Sequence, residues 1–133
     1  KTYLLPKAKE SVLLANDFAE LGIVTTKTGI YSEVLMEHFD IMDYFKVLIG
    51  REHVEHPKPH EEPILKALES FDVLNKEIWM IGDTKLDLIS AKNAGVNSIG
   101  VLSGYDDEGT LKKYTEYIFT TAYEAIVFLR NKK

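Results

Sequence analysis

The sequence predicts an α/β layered fold, and three observations carry that expectation. Segments with helical spacing of apolar residues alternate along the chain with short apolar or β-branched runs. One of those runs, Ile78-Trp79-Met80-Ile81, has no polar member, as expected of a parallel strand covered on both faces. The chain has 133 residues, 45% of them hydrophobic, which suits a single domain that buries roughly two-thirds of its unfolded surface. No internal repeat and no break in composition divides residues 1–133, so they read as one domain.

The elements follow in order. Pro6 suits the first turn of a helix whose apolar stripe is Ala8, Val12, Ala15 and Ala19, widened by Leu14, Phe18 and Leu21. Gly22 is a candidate stop for that helix. Ile23-Val24-Thr25-Thr26 then reads as a buried strand. Ser32 can cap a helix over Glu33–Phe39, because its hydroxyl accepts from exposed N–H groups. Val47-Leu48-Ile49, closed by Gly50, is a second strand. Pro57, Pro59 and Pro63, with charged residues between them, impose an extended loop that ends at a helix with Pro63 in its first turn. Ile64, Leu65, Leu68 and Phe71 give that helix its apolar face. After the strand at 78–81, a helix runs from about Leu86 to Ala94 and Gly95 stops it. Ser98–Leu102 is a strand, Glu108–Tyr114 a helix, Tyr117–Phe119 a short strand and Tyr123–Asn131 a closing helix.

Composition excludes several functions. Asp and Glu total 21 against 16 Lys and Arg, a net charge of −5, so nothing draws the chain broadly to nucleic acid or to an anionic membrane surface. No apolar run approaches the ~20 residues of a membrane helix. The absence of cysteine excludes disulfides, thiolate metal sites and cysteine nucleophiles, and it suits a reducing compartment, so a cytoplasmic location is expected.

The sharpest local pattern is Gly82-Asp83-Thr84-Lys85-Leu86-Asp87, directly after the apolar strand. Ligands in open α/β sheets bind beyond the carboxyl ends of the strands. Two carboxylates four residues apart across a strand-to-helix turn can converge on one hard cation such as Mg²⁺. The same residues also read as a capping Asp83 and a solvated first-turn Asp87. Thr25 ends the first strand, where a hydroxyl beside backbone N–H groups can hold a phosphoryl oxygen, although threonine is common in any strand. Thr26 and Lys27 add polarity at the same strand mouth. Lys58, between Pro57 and Pro59, has a restricted backbone that aims its side chain, and a fixed ammonium there would neutralise phosphoryl charge. His53, His56 and His60 are closely spaced, but the prolines among them prevent a regular helix and no acid–histidine zinc signature is present. There is no Gly-rich dinucleotide or nucleotide-phosphate loop, and Ser103-Gly104 lacks the first glycine of a serine-hydrolase elbow.

Taken together, Thr25 at a strand end, Lys58-Pro59, Gly82-Asp83-Thr84-x-x-Asp87 and Ala94-Gly95-Val96 resemble the haloacid dehalogenase superfamily of phosphohydrolases, in its phosphoglycolate-phosphatase-like branch. The resemblance runs from Leu5-Pro6 through Tyr117-Ile118-Phe119. It implies a three-layer, Rossmann-like parallel sheet flanked by helices. It also implies roles: Thr25 binds the phosphoryl group, with Thr26 beside it. Lys58 steadies nucleophile and phosphate, and Asp83 and Asp87 hold Mg²⁺, with Asp83 the direct ligand. Thr26 stands where asparagine is frequent in the branch, and Glu61 where proline is common. The larger departure is the nucleophile. The superfamily uses an Asp-x-Asp motif on its first, central strand, and no two aspartates here are separated by a single residue. Asp17 falls in the first expected helix and cannot stand in.

The chain does not begin with Met, and it is expected to be a partial core that starts where a typical member returns from its cap domain. The central nucleophile strand would then be missing from it, to be completed by a missing N-terminal segment or a second copy. For the complete protein the resemblance implies that an aspartate attacks a phosphomonoester to give an acyl phosphate, which water hydrolyses. The partner is then a small phosphorylated substrate, chosen by a cap these residues do not include, with no nucleic acid and no membrane. Two alternatives stand beside the phosphatase: a phosphomutase of the same superfamily, and a non-catalytic phosphate- or partner-binding module derived from the fold.

Overall fold

The computed structural model describes residues 8–25, 42–72, 77–102 and 106–132. The helix expected over Glu33–Phe39, and Thr26, lie outside these residues. In chain order the elements are α1 (Ala8–Asn16), β1 (Leu21–Val24), β2 (Phe45–Ile49), α2 (Glu62–Leu68), β3 (Trp79–Gly82), α3 (Lys85–Ala94), β4 (Asn97–Val101), α4 (Glu108–Leu111), β5 (Ile118–Phe119) and α5 (Ala122–Lys132). Single 3₁₀ turns at Met42–Tyr44 and Arg51–His53 precede and follow β2.

All strand pairs are parallel, as the sequence predicts, but the described strands form two sheets: β1 with β2, and β3–β4–β5. Helix α2 joins them, packing on β1 and β2 and also against α3, which lies on β3 and β4. Among the described residues β1 and β3 do not pair with each other; β2 is the neighbour of β1, and β4 that of β3. This leaves β3 at a sheet edge. Its Trp79, Met80 and Ile81 are half-buried rather than enclosed, a departure from the fully covered strand the sequence predicts.

Side-chain alternation along β3 and β4 builds the layers. Ile81 is registered with Ile99, and Gly82 with Gly100. One face carries Trp79, Ile81, Ile99 and Val101, which pack on Ala125, Phe128 and Leu129 of α5. The rings of Trp79 and Phe128 meet edge to face, with centroids 6.3 Å apart. Helix α1 packs on α5 in the same layer. The other face carries the two glycines, and there the helices come close. A Cβ on Gly82 would stand 2.2 Å from the Asp87 Cβ, and one on Gly100 3.2 Å from the Leu111 Cδ1. Leu88, Ala91 and Leu111 are fully buried on that side. Full burial of each such leucine stabilises the fold by about 1.5–3 kcal/mol.

Gly22 does not stop α1. The helix ends at Asn16, and the Phe18 and Ala19 N–H groups close its last turn on the Ala15 carbonyl at 3.2 and 2.9 Å. Gly22 instead lies inside β1, where a Cβ would meet Val47 Cγ1 at 2.9 Å and the Phe71 ring at 3.1 Å. The glycine is needed for contact with its neighbours rather than for a turn. Asp17 sits in the turn after α1, on the amino side of β1 and so at the opposite end of that strand from Thr25. No described helix is long and apolar enough to cross a membrane.

Candidate active site

The site assembles around Asp87. Strand β3 ends at Gly82, residues 83 and 84 turn, and Thr84 opens α3 in an extended conformation. The Asp87 N–H donates to the Thr84 hydroxyl oxygen at 3.4 Å. The Asp87 carboxylate answers with one oxygen, Oδ2, which accepts from the Asp83 N–H at 3.2 Å, the Thr84 N–H at 3.3 Å and the Thr84 hydroxyl at 3.2 Å. This is a capping box with aspartate in the place usually held by glutamate, and it satisfies the otherwise orphaned donors of the first turn. The turn fits only because residue 82 is glycine, since any Cβ there would occupy the space of the Asp87 side chain.

The second carboxylate oxygen, Oδ1, accepts from Lys58 Nζ in an ion pair whose side chains are only 10% and 8% exposed. The lysine arrives from the loop after β2, which is braced at several points. His53 Nδ1 accepts from the Gly50 N–H at 2.8 Å. Glu62 takes the Glu55 and His56 N–H groups on its two oxygens, each at 3.0 Å, and its own N–H donates to His60 Nδ1 at 3.0 Å. These backbone donors, first that of Glu55, hold the Glu62 carboxyl below its usual pKa. Helix α3 completes the bracing: the buried Ser90 hydroxyl donates to the His60 carbonyl at 2.7 Å, and Asn93 Nδ2 to the Pro59 carbonyl at 3.3 Å.

Asp83 is half-buried at the strand end beside this pair. Its pKa is raised, first by burial and then by the Asp87 carboxylate. Lys58, Asp83 and Asp87 bring one amino group and two carboxyl groups together. The Asp106 carboxyl lies nearby and accepts from the Lys85 N–H at 2.6 Å. Thr25 follows the carboxyl end of β1, and its N–H donates to the carbonyl of Ile49, the last residue of β2.

Of the sequence-predicted site residues, the structure therefore brings Lys58, Asp83 and Asp87 together and puts Thr25 at a strand's carboxyl end. Thr26 lies outside the described residues. Sequence reasoning missed Ser90 and Asn93, and it gave Thr84 no task. The available signal was spacing: Asp87, Ser90 and Asn93 repeat every three residues, and a serine on the buried face of a helix needs a partner.

Comparison with known proteins follows the same lines. The family described as haloacid dehalogenase-like hydrolase matches residues 2–101. Phosphoglycolate phosphatase of Escherichia coli K12 is 34% identical over 106 residues, which cover 79% of this chain and 42% of that protein. The Salmonella choleraesuis phosphoglycolate phosphatase matches to the same extent. A crystal structure of a predicted phosphatase from Clostridium acetobutylicum superposes with a TM-score of 0.81 at 26% identity, covering 95% of this chain and 59% of that one. A predicted phosphoglycolate phosphatase from Haemophilus somnus shares the fold, with a TM-score of 0.84 at 24% identity over 98% of this chain and 58% of that one. The chain thus spans well under two-thirds of the length of the proteins it matches.

Proposed function

The chain belongs to the haloacid dehalogenase-like hydrolases, and from that premise we propose that it is the carboxyl-terminal part of the core of a Mg²⁺-dependent phosphomonoesterase of the phosphoglycolate phosphatase type. The observation that carries the reading is the buried Lys58–Asp87 ion pair tied to Asp83 and Thr84 at the end of β3. An ammonium and a carboxylate held side by side beyond a strand are suited to a phosphoryl group and its counter-cation. The names carried by its relatives make 2-phosphoglycolate the first substrate to try.

The donor set suits Mg²⁺, a hard cation that takes oxygen ligands. Asp83 is a carboxylate whose charge is raised in energy by burial and by Asp87, and a bound cation relieves both. Asp83 is the direct ligand in this reading. Asp87 already gives both its oxygens to Lys58 and to the capping box, so it holds the loop and the lysine and adds its charge to the site. Bound Mg²⁺ supplies charge neutralisation at the phosphoryl oxygens. Thr25 and Lys58 furnish the remaining donors, and Thr26 stands next to Thr25 in the sequence. The nucleophilic aspartate comes from a segment outside these 133 residues. The open edges of β1 and β3 are where its strand would pair, with a second copy of the chain as the other candidate to complete the sheet.

The test is turnover of 2-phosphoglycolate and p-nitrophenyl phosphate by the complete protein, with Mg²⁺ and with a chelator. The expected result is Mg²⁺-dependent release of phosphate, reduced at least a hundredfold in Asp83→Asn and in Lys58→Met. The 133 residues alone are expected to give none, because they hold no Asp-x-Asp. A complete protein that binds phosphate yet turns over neither ester would favour the non-catalytic module instead.

A further inference from the structure

We propose that Ser90 and Asn93 of α3 are positioning residues that set where the Lys58 ammonium stands. Residues 87, 90 and 93 lie along one drifting stripe of the helix, about 9 Å from first to last. Each meets a different member of one tripeptide. Asp87 takes the Lys58 ammonium, Asn93 donates to the Pro59 carbonyl, and Ser90 donates to the His60 carbonyl. A lysine side chain on a free loop has several rotatable bonds and a large rotamer entropy. Here the two backbone groups that follow it are fixed to the same rigid helix that carries its counter-ion. The loop and the ion pair therefore move as one body with α3.

The chemistry of position 90 sharpens the point. Ser90 is fully buried at 0% exposure, in the second turn of a helix where alanine has the higher intrinsic propensity. Space-filling alone would be served as well by alanine. The hydroxyl is matched instead to a carbonyl in a proline-bounded loop, at 2.7 Å. His60 is held from its other side too, since its Nδ1 accepts from the Glu62 N–H. Ser90 thus carries the larger share, and Asn93, which is exposed and makes a longer bond, the smaller.

The catalytic consequence rests on the phosphatase reading of Lys58, so the experiment has one arm that does not. In the complete, ¹⁵N-labelled protein, the Lys58 ammonium should give a slowly exchanging resonance, assigned by its loss in Lys58→Met. Ser90→Ala and the nearly isosteric Ser90→Cys should both broaden that resonance beyond detection, while the melting temperature stays close to that of the wild type. Asn93→Ala should weaken it. In the same proteins kcat for p-nitrophenyl phosphate should fall about tenfold in both Ser90 variants, with KM changed less than twofold, as a misplaced catalytic group predicts. A Lys58 resonance that survives in Ser90→Ala, or is lost in Ser90→Ala but kept in Ser90→Cys, would overturn the assignment, the second result showing a packing role. If the Ser90 variants do not fold, Asn93→Ala on the exposed face decides, and an unchanged resonance there overturns the proposal. If the wild type shows no turnover, the phosphatase reading fails and the resonance alone tests the clamp.

Discussion

At Asp83 two causes act in the same direction: burial, the larger, and the Asp87 carboxylate both raise its pKa. Its folded-state pKa therefore lies above the unfolded one, and folding takes up a proton in the interval between them. The stability this contributes is complete below the unfolded pKa and is lost as pH rises through the folded pKa. Without metal, Asp83→Asn should raise the melting temperature at neutral pH, and the gain should shrink as pH falls below the folded-state pKa and be gone below the unfolded one. Melting curves of the two proteins across that range check this; a variant less stable than wild type at neutral pH would contradict it. Added Mg²⁺ should stabilise the wild type and not the variant. Removing the Asp87 carboxylate should instead destabilise the fold. Replacing it with alanine strands the Lys58 ammonium, 10% exposed, and removes the cap of α3, at a cost of about 3–5 kcal/mol. Urea denaturation should show that loss, with a smaller one for the double variant Asp87→Ala, Lys58→Met.

Two glycines separate steric from conformational constraint at the scale of the element. Gly82 ends β3 where a Cβ would overlap Asp87, so Gly82→Ala must push Asp87 and the start of α3 away from the strand. It should abolish the Lys58–Asp87 contact as well as destabilise the domain. Gly95 caps α3 with φ 76°, and nothing lies within 4 Å of where its Cβ would be. Gly95→Ala should therefore cost only the left-handed backbone penalty, about 1–2 kcal/mol, and leave the site intact. Chemical denaturation of both variants, with the Lys58 ammonium resonance as the reporter of the site, distinguishes the two causes. Equal effects on that resonance would refute the distinction.

Two parallel sheets bridged by α2 leave strand edges on β1 and β3 that no described strand occupies. A buried N–H or C=O without a partner costs about 1–3 kcal/mol, against a total stability of about 5–15 kcal/mol for a domain. A few such groups are enough to make a partner strand a condition of stability, and exposed edges recruit one from other molecules. The 133-residue chain by itself should associate, as light scattering would show. In the complete protein the outward amides of β1 and β3 should be among the slow hydrogen exchangers. A stable monomer of the isolated chain, with those amides already protected, would count against the missing strand.

Much of this was legible in the sequence because the signals are local. The all-apolar run at 78–81, the turn glycine with its two aspartates four residues apart, and the prolines around Lys58 each report a short-range steric or charge constraint. Together they gave the α/β class, the parallel strands and the grouping of Lys58, Asp83 and Asp87. Gly22 misled for the same reason: a glycine after a helical stripe looks like a cap, and only the approach of Val47 and Phe71, distant in sequence, shows why it is glycine. The partners of Ser90 and Asn93 lie thirty and thirty-four residues away, so no local pattern could name them. That Asp87 spends one oxygen on Lys58 and the other on its own helix cap, leaving Asp83 as the carboxylate raised in energy, depends on which groups share a buried volume. Spacing along the chain fixes what can meet within a turn or two; burial and the desolvation of charge are properties of the packed molecule, and only the tertiary structure decided them.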